Sequence, residues 1–133
     1  MRKSFFLDGI PHNLPSLRRA YLLTEKASVV GFDWPNIEGV LKKLDEELKE
    51  FKGALSLGTR SRVREEFGDL LFALVNIARF LQINPEEALN KTTEKFISRF
   101  HYIETSLRKK GKSPRDSNLL EMDKLWEAAK RKR

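Results

Sequence analysis

Apolar residues recur at spacings of three and four along nearly the whole chain, and no stretch shows the period-2 alternation expected of a strand. This pattern predicts an all-α fold. Glycines and prolines, among them Gly31, Gly58 and Gly111, mark the breaks between segments. We expect about five helices, with bounds near 15–30, 35–55, 61–82, 85–110 and 117–133.

The second and third helices have different apolar patterns. The second carries a stripe typical of a helix bundle, which we predict to be buried: Ile37, Leu41, Leu44, Leu48, Phe51 and Leu55. The third is apolar on all sides from Phe67 to Leu81, which predicts a central helix that neighbours surround. In so small a chain, such a helix favours a homodimer or a higher homo-oligomer. The predicted architecture is a bundle with a four-helix core, completed by dimerisation.

The last two helices each carry one apolar stripe. In the fourth we expect five residues to face inward: Leu89, Phe96, Phe100, Ile103 and Leu107. In the fifth the stripe consists of Leu119, Met122, Trp126 and Ala129. Both helices should therefore pack on other parts of the bundle.

Composition limits the class of protein. A chain of 133 residues is the size of one domain, so we predict a single domain over 1–133. The absence of cysteine excludes disulfides, thiolate metal sites and cysteine nucleophiles, and it favours the reducing cytoplasm. Asn76 and Arg79 interrupt the longest apolar run, which is far shorter than the roughly 20 residues of a membrane span. We expect no membrane partner.

The positive charge is concentrated at one end. Residues 108–133 contain ten Lys and Arg against four Asp and Glu, which accounts for +6 of the net charge of +7. Such a basic helix, about 117–133, can attract nucleic acid without reading its sequence. A nucleic-acid-binding module is therefore one alternative function, although we expect mainly a solvated helix end.

Acidic residues in two helices suggest a metal site. In EELKE, Glu47 and Glu50 lie three residues apart, and in EFGD, Glu66 and Asp69 have the same spacing, so each pair shares one face of its helix. For EELKE alone, solvent-exposed acids are the simpler explanation. For Glu66 and Asp69 that explanation is weaker, because the surrounding residues of the helix are apolar on all sides. Four carboxylates in a partly desolvated groove need a cation, and all-oxygen ligation favours Mg²⁺, Mn²⁺ or Ca²⁺ over zinc.

Basic residues on the fourth helix complement these acids. Lys91, Lys95 and Arg99 follow one another at i, i+4 spacing. Alone, they would be read as a solvent-facing row. Together with the acids they suit phosphoryl chemistry, in which Lys or Arg binds the non-bridging oxygens. A helical interaction protein with acids that are merely surface charge is the second alternative.

The quoted motifs resemble those of a known family. EELKE followed by EEFGDLLFALVNIARFL is similar to the signature of the all-α nucleoside triphosphate pyrophosphohydrolases of the MazG type, and IPHNLPSLRRAY, VGFDW and EKFISRF extend the resemblance over nearly the whole chain. The resemblance is closer to the C-terminal domain of members that carry two such domains. It implies hydrolysis of nucleoside triphosphates between the α and β phosphates, giving a monophosphate and pyrophosphate, with Mg²⁺ as cofactor. The all-oxygen ligand set makes Mn²⁺ a possible substitute.

The resemblance also implies roles for individual residues. The metal ligands would be Glu47, Glu50, Glu66 and Asp69, with Glu46 as a further catalytic acid. The phosphate-binding residues would be Lys95 and Arg99, and further substrate contacts would come from Lys43, Arg62 and Trp126. For Trp126, packing of the last helix explains the residue as well as base stacking does. For Asn76, a nucleoside contact and a buried polar contact both stay open.

Overall fold

The structure, a computed structural model, describes residues 4–132, and within that range all regular secondary structure is helical, with no strand. Met1–Lys3 of the predicted N-terminal segment and Arg133 of the basic helix lie outside the described residues. The five helices are α1 (Ser16–Val29), α2 (Ile37–Leu57), α3 (Arg60–Phe80), α4 (Pro85–Arg108) and α5 (Leu119–Arg131), and 3-10 turns occupy Phe6–Gly9 and Pro114–Asp116. The predicted all-α fold is confirmed. Within the described residues no helix is long and apolar enough to span a bilayer.

Short polar side chains cap the starts of three helices. At the start of α2, the Asn36 side chain accepts a hydrogen bond from the Gly39 amide at 3.2 Å. At the start of α3, the Thr59 hydroxyl accepts from the Arg62 amide at 3.3 Å, and at the start of α5 the Asn118 side chain accepts from the Glu121 amide at 2.9 Å. Each cap satisfies an amide that has no partner within its helix. At the end of α1, Gly31 takes the left-handed conformation (φ 93°), as the predicted break requires.

The chain forms two compact units, one up to Glu86 and one from Glu87 onward. In the first unit, α3 packs against both α1 and α2. Only Gly58 and Thr59 connect α2 to α3, and a Cβ at Gly58 would lie 2.5 Å from the Ala54 carbonyl oxygen, so this connection needs glycine. Further along, the rings of Phe51 and Phe67 meet at 5.8 Å. The two helices therefore form an antiparallel hairpin.

The buried side of α2 differs from the predicted stripe. Val40, Glu47 and Ala54, at seven-residue spacing, are the buried residues of this helix, whereas Leu41, Leu48 and Leu55 are 46%, 38% and 59% exposed. The prediction that these leucines are buried is wrong for the single chain. A step of one residue turns the side chain by about 100°, so a second apolar stripe runs beside the buried one.

The prediction of a central α3 is also wrong for the single chain. Ala73, Val75 and Arg79 are its buried residues, and four large apolar side chains are between 42% and 48% exposed: Phe67, Leu71, Phe72 and Leu74. Neighbours within the chain cover only part of this helix. The other half of the prediction, cover by a partner subunit, stays a prediction.

In the second unit, the burial of α4 follows the predicted stripe only in its C-terminal half. Ile103 and Leu107 are buried, whereas Leu89 and Phe96 are exposed, against the prediction. The exposed Phe96 ring nevertheless contacts Trp126 of α5 at 5.4 Å between ring centroids. One contact surface between α4 and α5 is therefore aromatic.

Candidate metal centre

Three of the predicted acids come together on the α2–α3 hairpin. Glu47, Glu66 and Asp69 each offer a carboxylate oxygen, and these oxygens lie within 4.8 Å of one another. Glu66 and Asp69 are one turn apart on α3, and the antiparallel arrangement sets both beside Glu47 in the middle of α2. The hairpin thus brings Glu47 close to two carboxylates that follow it in the sequence by 19 and 22 positions.

Two buried oxygens of this acidic cluster have no hydrogen-bond partner within residues 4–132. Glu47 is only 6% exposed, and its Oε2 atom, like Oε2 of Glu66, is buried without a hydrogen bond among the described residues. A buried carboxylate oxygen without a partner is costly, because it has lost its hydration and gained nothing in return. Three close carboxylates with two such oxygens fit a hard divalent cation, which prefers oxygen ligands.

Repulsion within the site is visible at Glu66. Desolvation raises the pKa of the Glu66 carboxyl above its ordinary value, and the nearby negative charges of Glu50 and Asp69 raise it further. Arg62, in the first turn of α3, acts in the opposite direction. The neighbouring acids therefore disfavour ionised Glu66 when no cation is bound.

The other two predicted acids hold different positions. Glu50 is exposed and lies beside Glu66, close enough to raise its pKa, but it is not part of the acidic cluster of three. Glu46 is exposed on α2 and is also outside that cluster. Of the four predicted ligands, the structure brings three together and sets the fourth alongside.

Lys43 forms an ion pair with one residue of the acidic cluster, Glu47. Its Nζ donates to Oε1 of Glu47 at 2.8 Å, one turn away on α2, and this contact raises the pKa of the lysine. The Lys43 side chain remains 43% exposed. A cation that is paired with an acid and also accessible is well situated to contact an anionic ligand.

The remaining predicted residues belong to the second unit. The guanidinium of Arg99 lies 5.4 Å from the centroid of the Trp126 ring, while Lys95 is exposed on α4. Trp126 is partly buried and touches both Arg99 and Phe96, which agrees with the packing role left open for it. In the same unit, Lys110 and Lys112 of the basic segment contact Glu121.

A cavity of about 710 Å³ adjoins the acidic cluster and lies within the first unit. Glu47, Asp69 and Lys43 line it together with residues that the sequence did not assign to a site, among them Asp33 and Arg79. Arg79 is 8% exposed and donates to both oxygens of Asp33 at 2.7 Å. The sequence signal for this pair was the charge of Arg79 among apolar residues in the last turn of α3.

Comparison with known proteins agrees with this picture. Residues 36–103, just over half of the chain, match the family described as the MazG nucleotide pyrophosphohydrolase domain. The chain is similar to the Thermotoga maritima protein named nucleoside triphosphate pyrophosphohydrolase/pyrophosphatase MazG, with 43% identity over 97% of this chain and 49% of the relative. It is 38% identical to the Escherichia coli nucleoside triphosphate pyrophosphohydrolase over 94% of this chain and 48% of that protein.

A further relative is the uncharacterized protein YabN of Bacillus subtilis, which is 46% identical over 96% of this chain and 26% of its own length. The chain thus spans about half the length of the Thermotoga and Escherichia relatives, and less of YabN. The matched segment, 36–103, contains the whole acidic cluster. The chain belongs to the MazG nucleotide pyrophosphohydrolase domain family.

Proposed function

We propose that this chain hydrolyses nucleoside triphosphates between the α and β phosphates, releasing a nucleoside monophosphate and pyrophosphate. The observation that carries the proposal is the acidic cluster of Glu47, Glu66 and Asp69, with two buried carboxylate oxygens that have no partner among the described residues. Two relatives of about twice the length are named nucleoside triphosphate pyrophosphohydrolases, which supports the same activity here.

Mg²⁺ is the cofactor we propose, with Mn²⁺ as a substitute. Glu47, Glu66 and Asp69 would hold it, and Glu50, beside Glu66, completes the proposed set of acids. When bound, the ion would neutralise the carboxylates and the phosphate oxygens and make a water more acidic. We propose Glu46 as an additional acid at the exposed side of α2.

Basic residues bind the triphosphate in this proposal. Lys43 is the best supported of them, because it already contacts Glu47 and remains accessible. Arg62 acts electrostatically on Glu66 and would contact the phosphates from the start of α3. Lys95 and Arg99 remain proposed phosphate-binding residues, and Trp126 a proposed substrate contact, because of the family resemblance.

The reaction itself needs one water and no covalent intermediate. The water oxygen forms a bond to phosphorus as the bridge between the α and β phosphates breaks, and the bridging oxygen leaves with one of the two products. The protons of the water end on the phosphate products or in solvent. The protein's contribution is to position the triphosphate against the acids and to stabilise the charge of the leaving group.

Site variants with matched controls test this proposal. Asp69→Asn and Glu50→Gln should each lower Mg²⁺-dependent pyrophosphate release by at least about 100-fold, because each removes a charge that the site requires. Asp45→Asn and Glu38→Gln, exposed on α2, are the controls and should keep full activity. Circular dichroism would check that all four variants remain helical. Full activity in the site variants would refute the proposed site.

We also propose that two copies of the chain form a homodimer. Leu41, Leu48 and Leu55 form an exposed apolar stripe on α2, and Leu71 and Leu74 are exposed on α3. Large contiguous apolar surfaces on a folded protein are typical of interfaces. A second copy would cover the same leucines with its own, as two-fold symmetry requires.

A further inference from the structure

The cavity beside the acidic cluster has the size of a small-molecule site. Its volume of about 710 Å³ falls within the range of roughly 300–1,000 Å³ that is typical of ligand pockets. Glu47, Asp69 and Lys43 form one part of its wall. A triphosphate that binds at these residues would therefore have the remainder of the nucleotide at the cavity.

Three aromatic side chains line the same cavity. Phe32 and Trp34 come from the connection between α1 and α2, and Phe72 comes from α3. They are 83%, 39% and 48% exposed, so much of their ring surface is accessible. Trp34 is also supported from behind, since a Cβ added at Gly39 would lie 3.2 Å from its ring. Accessible rings around a cavity suit a flat aromatic ligand, and every nucleobase can stack on them.

One amide group in the wall has a fixed orientation. Asn76 accepts at Oδ1 from Nε of Arg79 at 3.2 Å and from Nη2 of Arg79 at 2.6 Å. Because a guanidinium only donates, the oxygen of Asn76 must face it, and the NH₂ group must point elsewhere. Within residues 4–132 this NH₂ group donates to no protein acceptor. Asn76 follows Asp69 by seven residues, which places both on one face of α3, and both line the cavity.

Arg79 is itself held firmly. Asp33 accepts two hydrogen bonds from its guanidinium, each of 2.7 Å, and Asn76 accepts two more. A bidentate pair of this kind fixes the plane of the guanidinium. Asp33 lies between Phe32 and Trp34 in the sequence. Its ion pair with Arg79 therefore joins the α1–α2 connection, which carries both rings, to α3, and it also fixes the guanidinium that orients the Asn76 amide.

We propose that this cavity binds the nucleobase and that the NH₂ group of Asn76 donates to a carbonyl oxygen on the Watson–Crick edge of the base. This inference rests on the function proposed above. It predicts a preference for bases with a carbonyl at purine position 6 or pyrimidine position 4 over those with an amino group there, since two donors cannot pair. It places the base on the rings of the first unit. Trp126 of the second unit is not needed for base stacking in this proposal, and its ring is already in contact with Arg99 and Phe96.

Two pairs of nucleotides test this contact, because inosine and adenosine differ at position 6 and in the proton on N1, and uridine and cytidine differ at position 4 and in the proton on N3. Calorimetric binding of the monophosphates should give about tenfold tighter binding of IMP than AMP, and of UMP than CMP, as expected for one hydrogen bond. The same ratios should appear in kcat/KM for the triphosphates. A wild-type protein that treats the members of either pair alike overturns the inference.

Variants sharpen the test. Asn76→Asp keeps the oxygen that faces Arg79 and replaces the donor by an acceptor, so it should invert both ratios. Asn90→Asp, at an exposed position of α4, is the matched control and should leave both ratios unchanged. Phe32→Ala, at a side chain that is 83% exposed, should weaken all four monophosphates equally without affecting the fold. An unchanged ratio in Asn76→Asp, or a loss of binding in Trp126→Leu but not in Phe32→Ala, would refute this placement of the base.

These measurements separate the inference from the proposed function. Monophosphate binding needs no hydrolysis, so a chain that prefers IMP but cleaves no triphosphate would keep the base site and lose the proposed activity. A chain that cleaves triphosphates without any preference within the pairs would keep the activity and lose the base site.

Discussion

At the scale of single residues, Glu66 shows how the proposed site conflicts with stability. Desolvation and the charges of Glu50 and Asp69 raise its pKa in the folded chain, whereas in the unfolded chain the carboxyl ionises near its ordinary value of 4.5. The folded chain therefore holds this proton to higher pH than the unfolded chain. It follows that the contribution of Glu66 to the free energy of unfolding decreases as the pH rises through the folded pKa.

Glu66→Gln should remove this penalty in metal-free buffer. With EDTA present, the variant should melt at a higher temperature than the wild type near neutral pH, and the difference should shrink towards about pH 4, where the wild-type carboxyl is protonated in both states. Melting curves over a pH series measure the difference. Glu65→Gln, at the exposed neighbouring position, is the control. A difference that grows as the pH falls would contradict the raised pKa.

Residue-level reasoning from the sequence identified the three residues of the acidic cluster. The acids were predicted because i, i+3 spacing on a helix follows from local geometry alone, and Glu47, Glu66 and Asp69 do come together. The Asp33–Arg79 pair was not predicted, because its members are 46 positions apart and only the packing of α3 on the preceding segment joins them. Similarly, the orientation of Asn76 depends on Arg79 and could not be read from the sequence.

At the scale of helices, the Asp33–Arg79 ion pair fastens the α1–α2 connection to α3. Arg79 is almost fully buried, so removing its partner leaves a buried charge without compensation. We predict that Asp33→Asn lowers the free energy of unfolding by about 2–4 kcal/mol at neutral pH. Chemical denaturation measures this change, and Asp45→Asn, exposed on α2, is the control with the same chemical change.

The effect of Asp33→Asn should depend on pH with a known sign. Hydrogen bonding from Arg79 lowers the pKa of the Asp33 carboxyl below its ordinary value of 3.8. The stability that the ionised group contributes is therefore complete above that value and is lost as the pH falls through the lower, folded pKa. The difference between wild type and variant should disappear in strong acid. A difference that is independent of pH would contradict the ion pair as its cause.

The starts and ends of the helices could be predicted from the sequence to within a few residues, whereas the side of each helix that is buried was predicted less accurately. Asn84 and Pro85 start α4 as predicted, and Gly31 ends α1, since these signals act within one turn. The burial of Leu48 was mispredicted, because an apolar side chain does not specify which neighbour covers it. Which of two adjacent stripes faces inward depends on the tertiary packing.

At the scale of the whole molecule, the exposed leucines of α2 and α3 predict self-association. We expect light scattering to give a mass of about twice the 15.5 kDa of one chain. The double variant Leu48→Glu, Leu71→Glu should be monomeric, because it would bury four carboxylates in the interface. Leu57→Glu, at a side chain that is 95% exposed, is the control. A wild-type monomer would contradict the proposed dimer.

The central claim joins all three scales: the hairpin gathers the acids, the acids bind Mg²⁺, and the bound triphosphate is cut between its α and β phosphates. Separation of the products after incubation with a nucleoside triphosphate and Mg²⁺ tests this claim most directly, with Asp69→Asn as the inactive control. The claim predicts monophosphate and pyrophosphate in equal amounts, with no diphosphate at any time point. Diphosphate together with free phosphate would contradict it.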